Sequence, residues 1–183
     1  LSFGELALDY HLLMPFFLCA IRLLTLVIWV GGLIFFAFVE AQVAFHIMGT
    51  APPFGSLIAG SIGALNQMGQ YCGALFTLAT LILASRAATT NRKLLLAQVL
   101  LVILMMADTA VVQLRIVPAM ERDRINAGGE IDAAPPDNPA RSDFDRLHAL
   151  SERVEGTALL LGLGVVILMA AEPSGSQPQP LTH

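Results

Sequence analysis

FDRLHALSERVEGTALLLGLGVVILMAA, residues Phe144–Ala171, joins a charged half to an uncharged half with no proline between them. The first half spaces its charges as a helix does. The second carries no charge from Gly156 to Ala171. With the turn before it, this run is long enough to cross a hydrocarbon core, which takes about 20 apolar residues. The segment therefore reads as one helix that leaves a polar environment and enters a bilayer. Only helices and closed barrels satisfy their backbone groups in lipid. No strand-like alternation occurs, so the expected fold class is all-α: an integral membrane four-helix bundle with an interfacial extension on the last helix.

The rest of the composition agrees. The chain has 183 residues, of which 56% are hydrophobic and 13% charged, with a mean hydropathy of +0.71. Soluble domains carry about 25% charged residues, roughly twice as many. A net charge of −4 leaves no basic face for phosphates, which excludes nucleic acid as a partner. Cys19 and Cys72 stand singly in apolar runs, so neither a disulfide framework nor a CxxC zinc site is expected. Glu5 and Asp9, rather than basic residues, precede the first apolar segment; that segment reads as a retained helix, not a signal peptide.

Working back from the last span, charged residues mark out three others. Leu23 to Val39 is uncharged between Arg22 and Glu40, about 25 Å of helix. Pro15 upstream is expected to mark the helix start or a bend. Residues 49–65, GTAPPFGSLIAGSIGAL, read as a loop or interfacial segment, and the second span follows, with Gly69 and Gly73 one turn apart and able to admit a close neighbour. LLLAQVLLVILMMADTAVVQL, residues 94–114, is the third. Spans are thus expected at about 16–40, 65–85, 94–114 and 154–171, all in one domain over residues 1–172. A polar loop is expected over 119–142, with Ser142 and Asp145 as a capping-box-like start of the last helix. Residues 173–183 read as a disordered tail. Arg22, Arg86, Arg92 and Lys93 fall on one side and Arg115, Arg122, Arg124, Arg141 and Arg146 on the other, so the positive-inside rule selects no orientation.

Ionisable groups at membrane depth carry the chemistry, because each is costly there. Asp108 stands alone within the third span, with Arg115 seven residues on along the same face; Arg22 and Arg153 are further possible partners. It reads as a packing or ion-pair residue first and as a proton or substrate site second. On the last helix His148, Ser151, Glu152 and Glu155 form a single stripe. An imidazole with two carboxylates can hold a divalent metal or pass a proton, so His148, Glu152 and Glu155 are the alternative metal set. The spacing matches no zinc or di-iron signature, and a polar interfacial face paired with arginines is the simpler reading. Met105 and Met106 are read as apolar filling. No GxSxG, phosphate-loop, HExxH or dinucleotide motif occurs. No catalytic residue and no cofactor is predicted, and the chain is not expected to be an enzyme.

Arg22-Leu23-Leu24, Trp29-Val30-Gly31-Gly32, Phe35-Phe36, RIVPAMER at residues 115–122, and Phe144 with Leu147-His148-Ala149-Leu150-Ser151 together resemble bacterial transmembrane-protein-205-like proteins. The resemblance runs from Arg22 to Ala171. It implies a four-span membrane domain of unassigned activity, with suggestions of transport or resistance, in a bacterial inner membrane. It also implies a neutral amide, often Asn, where Glu155 stands here.

The first functional expectation is therefore a small non-enzymatic membrane module in the lipid bilayer, an accessory subunit or a homo-oligomer, with Asp108, Arg115, His148, Ser151, Glu152, Arg153 and Glu155 as a polar cluster. The alternative is a transporter or channel for a metal ion or small solute, lined by Asp108, His148 and Glu155. A third reading is a haem- or quinone-linked electron-transfer subunit using His46 and His148. A module predicts a cluster that is fully paired and dry, with no continuous cavity; a transporter predicts a water-accessible cavity reaching Asp108 from one side.

Overall fold

The computed structural model describes residues 3–49 and 52–172, and the expected tail at 173–183 lies outside them. Among the described residues every regular element is helical. Helix α1 (Phe3–Phe35) passes through a π turn (Phe36–Glu40) into α2 (Ala41–Met48), with right-handed helical dihedrals at Phe35 and Ala41, so the three form one rod. Helix α3 spans Pro52–Arg86. Helix α4 (Thr89–Val111) continues in the same way through a second π turn (Val112–Ile116) into α5 (Val117–Asn126). Helix α6 spans Pro139–Ala170.

The four rods include apolar stretches of 36, 33, 36 and 32 residues. At 1.5 Å per residue these reach about 48–54 Å, well beyond a hydrocarbon core of roughly 30 Å. Large apolar side chains, among them Phe16, Phe38, Leu114, Leu160 and Ile167, lie exposed along the rods. An apolar surface of that extent is stable only in lipid. The chain is a multi-pass membrane protein.

Several boundaries differ from those the sequence suggested, each for a local reason. Pro15 lies inside α1 rather than at its start. The Gly/Pro/Ser-rich stretch after residue 51 is helix rather than loop. Its prolines stand in the first turn of α3, where a missing N–H costs no hydrogen bond. The third rod runs past Arg115 to Asn126, and the widened π turn lies directly before the α5 turn that carries Pro118. The polar loop shrinks to residues 127–138. It turns at Gly128 and Gly129, both at φ +96°, buries Ile131 and Ala134, and is held by Arg141, whose Nη1 donates to the Ala134 carbonyl at 2.6 Å. Helix α6 starts not at Ser142 but after Asn138, whose side-chain oxygen accepts from the Ala140 N–H at 2.9 Å, with Pro139 in the first turn.

Helix α3 packs between α1 and α4, and α6 packs on α4 and α5. Leu26, Trp29, Val30 and Leu33 of α1 meet Leu65, Cys72 and Phe76 of α3, Val102 and Met105 of α4, and Ala158 and Val165 of α6. The Gly69–Gly73 pair does admit a close neighbour, and that neighbour is Trp29, 1% exposed. A Cβ on Gly69 would fall 2.3 Å from the indole Nε1, and one on Gly73 would fall 2.9 Å from Cζ3. Gly162 does the same for α6, where a Cβ would stand 2.7 Å from Val30 Cγ2.

Candidate functional site

Two polar layers cross this fold, and they differ in how completely their groups are paired. The first lies where the start of α4 meets the end of α6. Arg22 of α1, 1% exposed, donates from Nη1 to Glu172 Oε2 at 3.2 Å and from Nη2 to Glu172 Oε1 and Gln98 Oε1. Gln98 Nε2 donates to the same Glu172 Oε1 at 2.8 Å, and the guanidinium sits over the Phe76 ring, 5.5 Å from its centroid. Burial pushes the Glu172 carboxyl up. The hydrogen bonds from Arg22 and Gln98 and the arginine charge outweigh that and hold it below the usual carboxylate range. One cation faces one anion, and a buried amide links both.

The second layer lies toward the other end of the rods. On α6, Glu155 is seventeen residues from Glu172, about 25 Å along the axis. Helix α3 contributes Gly63, Asn66 and Gln70, which share one face. Asn66, 1% exposed, donates from Nδ2 to Glu155 Oε1 at 3.2 Å. Gln70 Nε2 bridges the Met106 carbonyl at 2.9 Å and Thr109 Oγ1 at 2.8 Å. Gln113, in the second π turn, lays its amide over Gly63, 3.7 Å from where a Cβ would stand. Asp108 precedes Thr109, the partner of Gln70, on α4.

Four buried side-chain atoms of this layer have no hydrogen-bond partner: Asn66 Oδ1, Asp108 Oδ2, Gln113 Oε1 and Glu155 Oε2. All four are oxygens with lone pairs to offer. Nearby basic groups do not complete them. Arg115 lies exposed in the π turn and Arg153 exposed on α6, and the ion pairs found join Arg22 to Glu172, Arg124 to Glu121, Arg146 to Asp143 and His148 to Glu152. The ion pair expected between Asp108 and Arg115, Arg22 or Arg153 is therefore not formed.

The predicted cluster thus divides. Asp108 and Glu155 each keep one buried oxygen without a partner. His148 and Glu152 pair with each other on the exposed face of α6, Nε2 to Oε1 at 3.4 Å. The His148 ring also stacks on Phe144 with centroids 6.3 Å apart, and its carbonyl accepts from Ser151 Oγ at 2.8 Å. Arg153 meets Thr157 only through its backbone carbonyl. Glu155 turns to Asn66, so the alternative metal set His148, Glu152 and Glu155 is not gathered, and among the described residues no three His, Cys, Asp or Glu side chains converge. His46 lies exposed on α2. Scanning for charge missed Asn66, Gln70, Gln98 and Gln113. Their signal was an isolated amide inside an apolar run, which also needs partners in lipid. Glu172 was hidden by its place at the head of the tail.

A family model described as a domain of unknown function, DUF4149, matches residues 24–124. The chain belongs to the DUF4149 family. No curated protein matches it, and no solved structure does. The DUF4149 match runs from α1 into α5. It takes in Asn66, Asp108 and Gln113 and stops short of α6, which supplies Glu155 and Glu172.

Proposed function

We propose that this DUF4149 protein carries a small cation across a membrane and performs no covalent chemistry. The observation that supports the reading is the contrast between the two layers. Arg22, Gln98 and Glu172 pair with one another and fasten helices, with Arg22 Nε alone left over. Asp108 and Glu155 pair with no cationic side chain, and Asn66 beside Glu155 and Gln113 against Gly63 each leave an oxygen unpaired. A module held together by polar pairing would not leave two carboxylates and two amide oxygens open, because each buried unpaired group costs about 1–3 kcal/mol and a charged one more. Groups kept at that cost mark a site. The likeness to transmembrane-protein-205-like proteins, with its suggested role in transport or resistance, supports the same reading and suits a bacterial inner membrane.

The test is flux in proteoliposomes under imposed gradients of protons, Na+, K+, Mg2+ and Ca2+, one at a time. Wild-type protein is expected to carry at least one of them faster than protein-free vesicles, and Asp108→Asn is expected to reduce that flux at least tenfold. Flux at the protein-free level for every ion refutes the proposal.

A further inference from the structure

We infer that Asn66, Asp108, Gln113 and Glu155 form a binding site for one hard divalent cation of the Mg2+ or Ca2+ class. The inference takes from the proposed function the location of the site, but it does not need the transport step.

The donor set fixes the class of ligand. The unpartnered atoms of Asn66, Asp108, Gln113 and Glu155 are all oxygens, two from carboxylates and two from amides, and the unpartnered Trp29 Nε1 points at Gly69 one turn away. Oxygen-only sites select hard cations, whereas copper and zinc seek imidazole and thiolate. The nearest such groups are elsewhere: His148 is engaged with Glu152 on the exposed face, and Cys72 is buried in the apolar core.

Charge fixes the valence. The groups presented by the packed elements are Asp108 on α4, Arg115 on the π turn, and Glu155, with His148, Glu152 and Arg153 further along α6. Helix α3 has no ionisable side chain between its start and Arg86, apart from Tyr71 and Cys72. Among the described residues no ion pair joins Arg115 or Arg153 to Asp108 or Glu155. Two carboxylates that stay ionised in a medium of low dielectric are balanced by two positive charges, and a single divalent ion supplies both while accepting lone pairs from the amides. A monovalent ion would leave one charge over.

Asn66 is the independent sign of a ligand. It is 1% exposed, its Nδ2 is spent on Glu155, and its Oδ1 is left open beside that carboxylate. Gln113 arrives from the π turn, a local widening that is frequent at functional sites. Protons compete for the same carboxylates, so binding weakens as pH falls.

The experiment uses the full chain in detergent or neutral-lipid nanodiscs, with 45Ca2+ flow dialysis and displacement by MgCl2 or NaCl. Quenching of the single Trp29 is followed in parallel. That side chain packs on Gly69, one turn from Asn66. We expect saturable binding near one ion per chain at pH 8, displaced by Mg2+ far better than by Na+. The affinity should fall at least tenfold in Asp108→Asn and Glu155→Gln, two substitutions that keep side-chain shape, and stay unchanged in Glu152→Gln. Circular dichroism and gel filtration establish that each variant is folded. Absence of saturable divalent binding to folded wild-type protein overturns the inference, and so does binding that both carboxylate variants retain. A site that takes only Na+ or only protons overturns it as well. Divalent binding without flux would sink the transport proposal and keep the site. Flux without divalent binding would do the reverse.

Discussion

Gly69→Ala tests the packing that positions Asn66. The added Cβ would fall 2.3, 2.5 and 2.9 Å from Nε1, Cε2 and Cδ1 of Trp29. Ordinary van der Waals contact begins near 3.4 Å, so the indole and helix α3 must separate by about 1 Å. Trp29 is 1% exposed and boxed in by the core, which leaves it no free rotamer to retreat to. A radial gap of 0.5–1 Å forfeits roughly a quarter to a half of each dispersion contact along the affected surface, and overpacking in tight cores costs about 1–3 kcal/mol. We place Gly69→Ala at the upper end, about 3 kcal/mol. The assay is reversible unfolding in mixed micelles, followed by circular dichroism. The control is Gly31→Ala, where an added Cβ meets nothing within 4 Å, and which is expected to be neutral or stabilising by up to about 1 kcal/mol from helix propensity. The cycle closes with Trp29→Leu, in whose background Gly69→Ala should cost under about 1 kcal/mol. If Gly69→Ala costs less than about 0.5 kcal/mol in the wild-type chain, or the same with and without the indole, the argument fails.

The paired layer makes its own predictions. Arg22→Met leaves Gln98 Oε1 without its donor and Glu172 with Gln98 Nε2 alone, and should destabilise the protein by about 3 kcal/mol in the same assay; adding Glu172→Gln should recover part of that loss. Glu172 titrates below its ordinary range when folded, so its contribution is present above the unfolded carboxylate pKa, about 4.3, and is lost as pH falls through the lower folded value. Acid unfolding below about pH 4 should accordingly be less steep in Glu172→Gln. Asn138→Ala removes the cap of α6 and should cost about 1 kcal/mol, with hydrogen exchange accelerated only over the first turns of that helix.

The four spans were legible because hydropathy is additive along the chain, and each apolar run stands between charges such as Arg22 and Glu40 or Lys93 and Arg115. Their ends were less legible. Pro15, Pro52 and Pro118 look like breaks in sequence, yet Pro52 and Pro118 stand in first turns and Pro15 lies within α1. Within the site, Asp108 and Glu155 stood out as charges in apolar surroundings. Their neighbours did not, because Asn66, Gln113 and Glu155 lie on three separate rods, and nothing in their spacing along the chain records that the packing of α3 and α6, which run the same way, brings Asn66 to Glu155. The His148 stripe misled for a related reason. Helical periodicity places residues on one face without saying whether that face meets lipid, water or another helix.

The charge of the site comes from Asp108 and Glu155 alone. Asn66 and Gln113 are neutral, Asp108 contributes one negative charge, and Glu155 doubles it. Glu155→Gln keeps an oxygen where Asn66 Nδ2 now donates and leaves the unpaired oxygens of Asn66, Asp108 and Gln113 in place. A single remaining carboxylate balances a monovalent ion, so the variant should lose Ca2+ affinity while Na+ affinity holds or rises. The exchange would invert the displacement order in flow dialysis. A charge-neutral site is the one a low-dielectric interior favours, so selectivity would follow the carboxylate count even with the amide oxygens unchanged. If Glu155→Gln lowers the affinity for Na+ and Ca2+ by the same factor, the oxygens rather than the charge set the preference, and the valence argument is wrong.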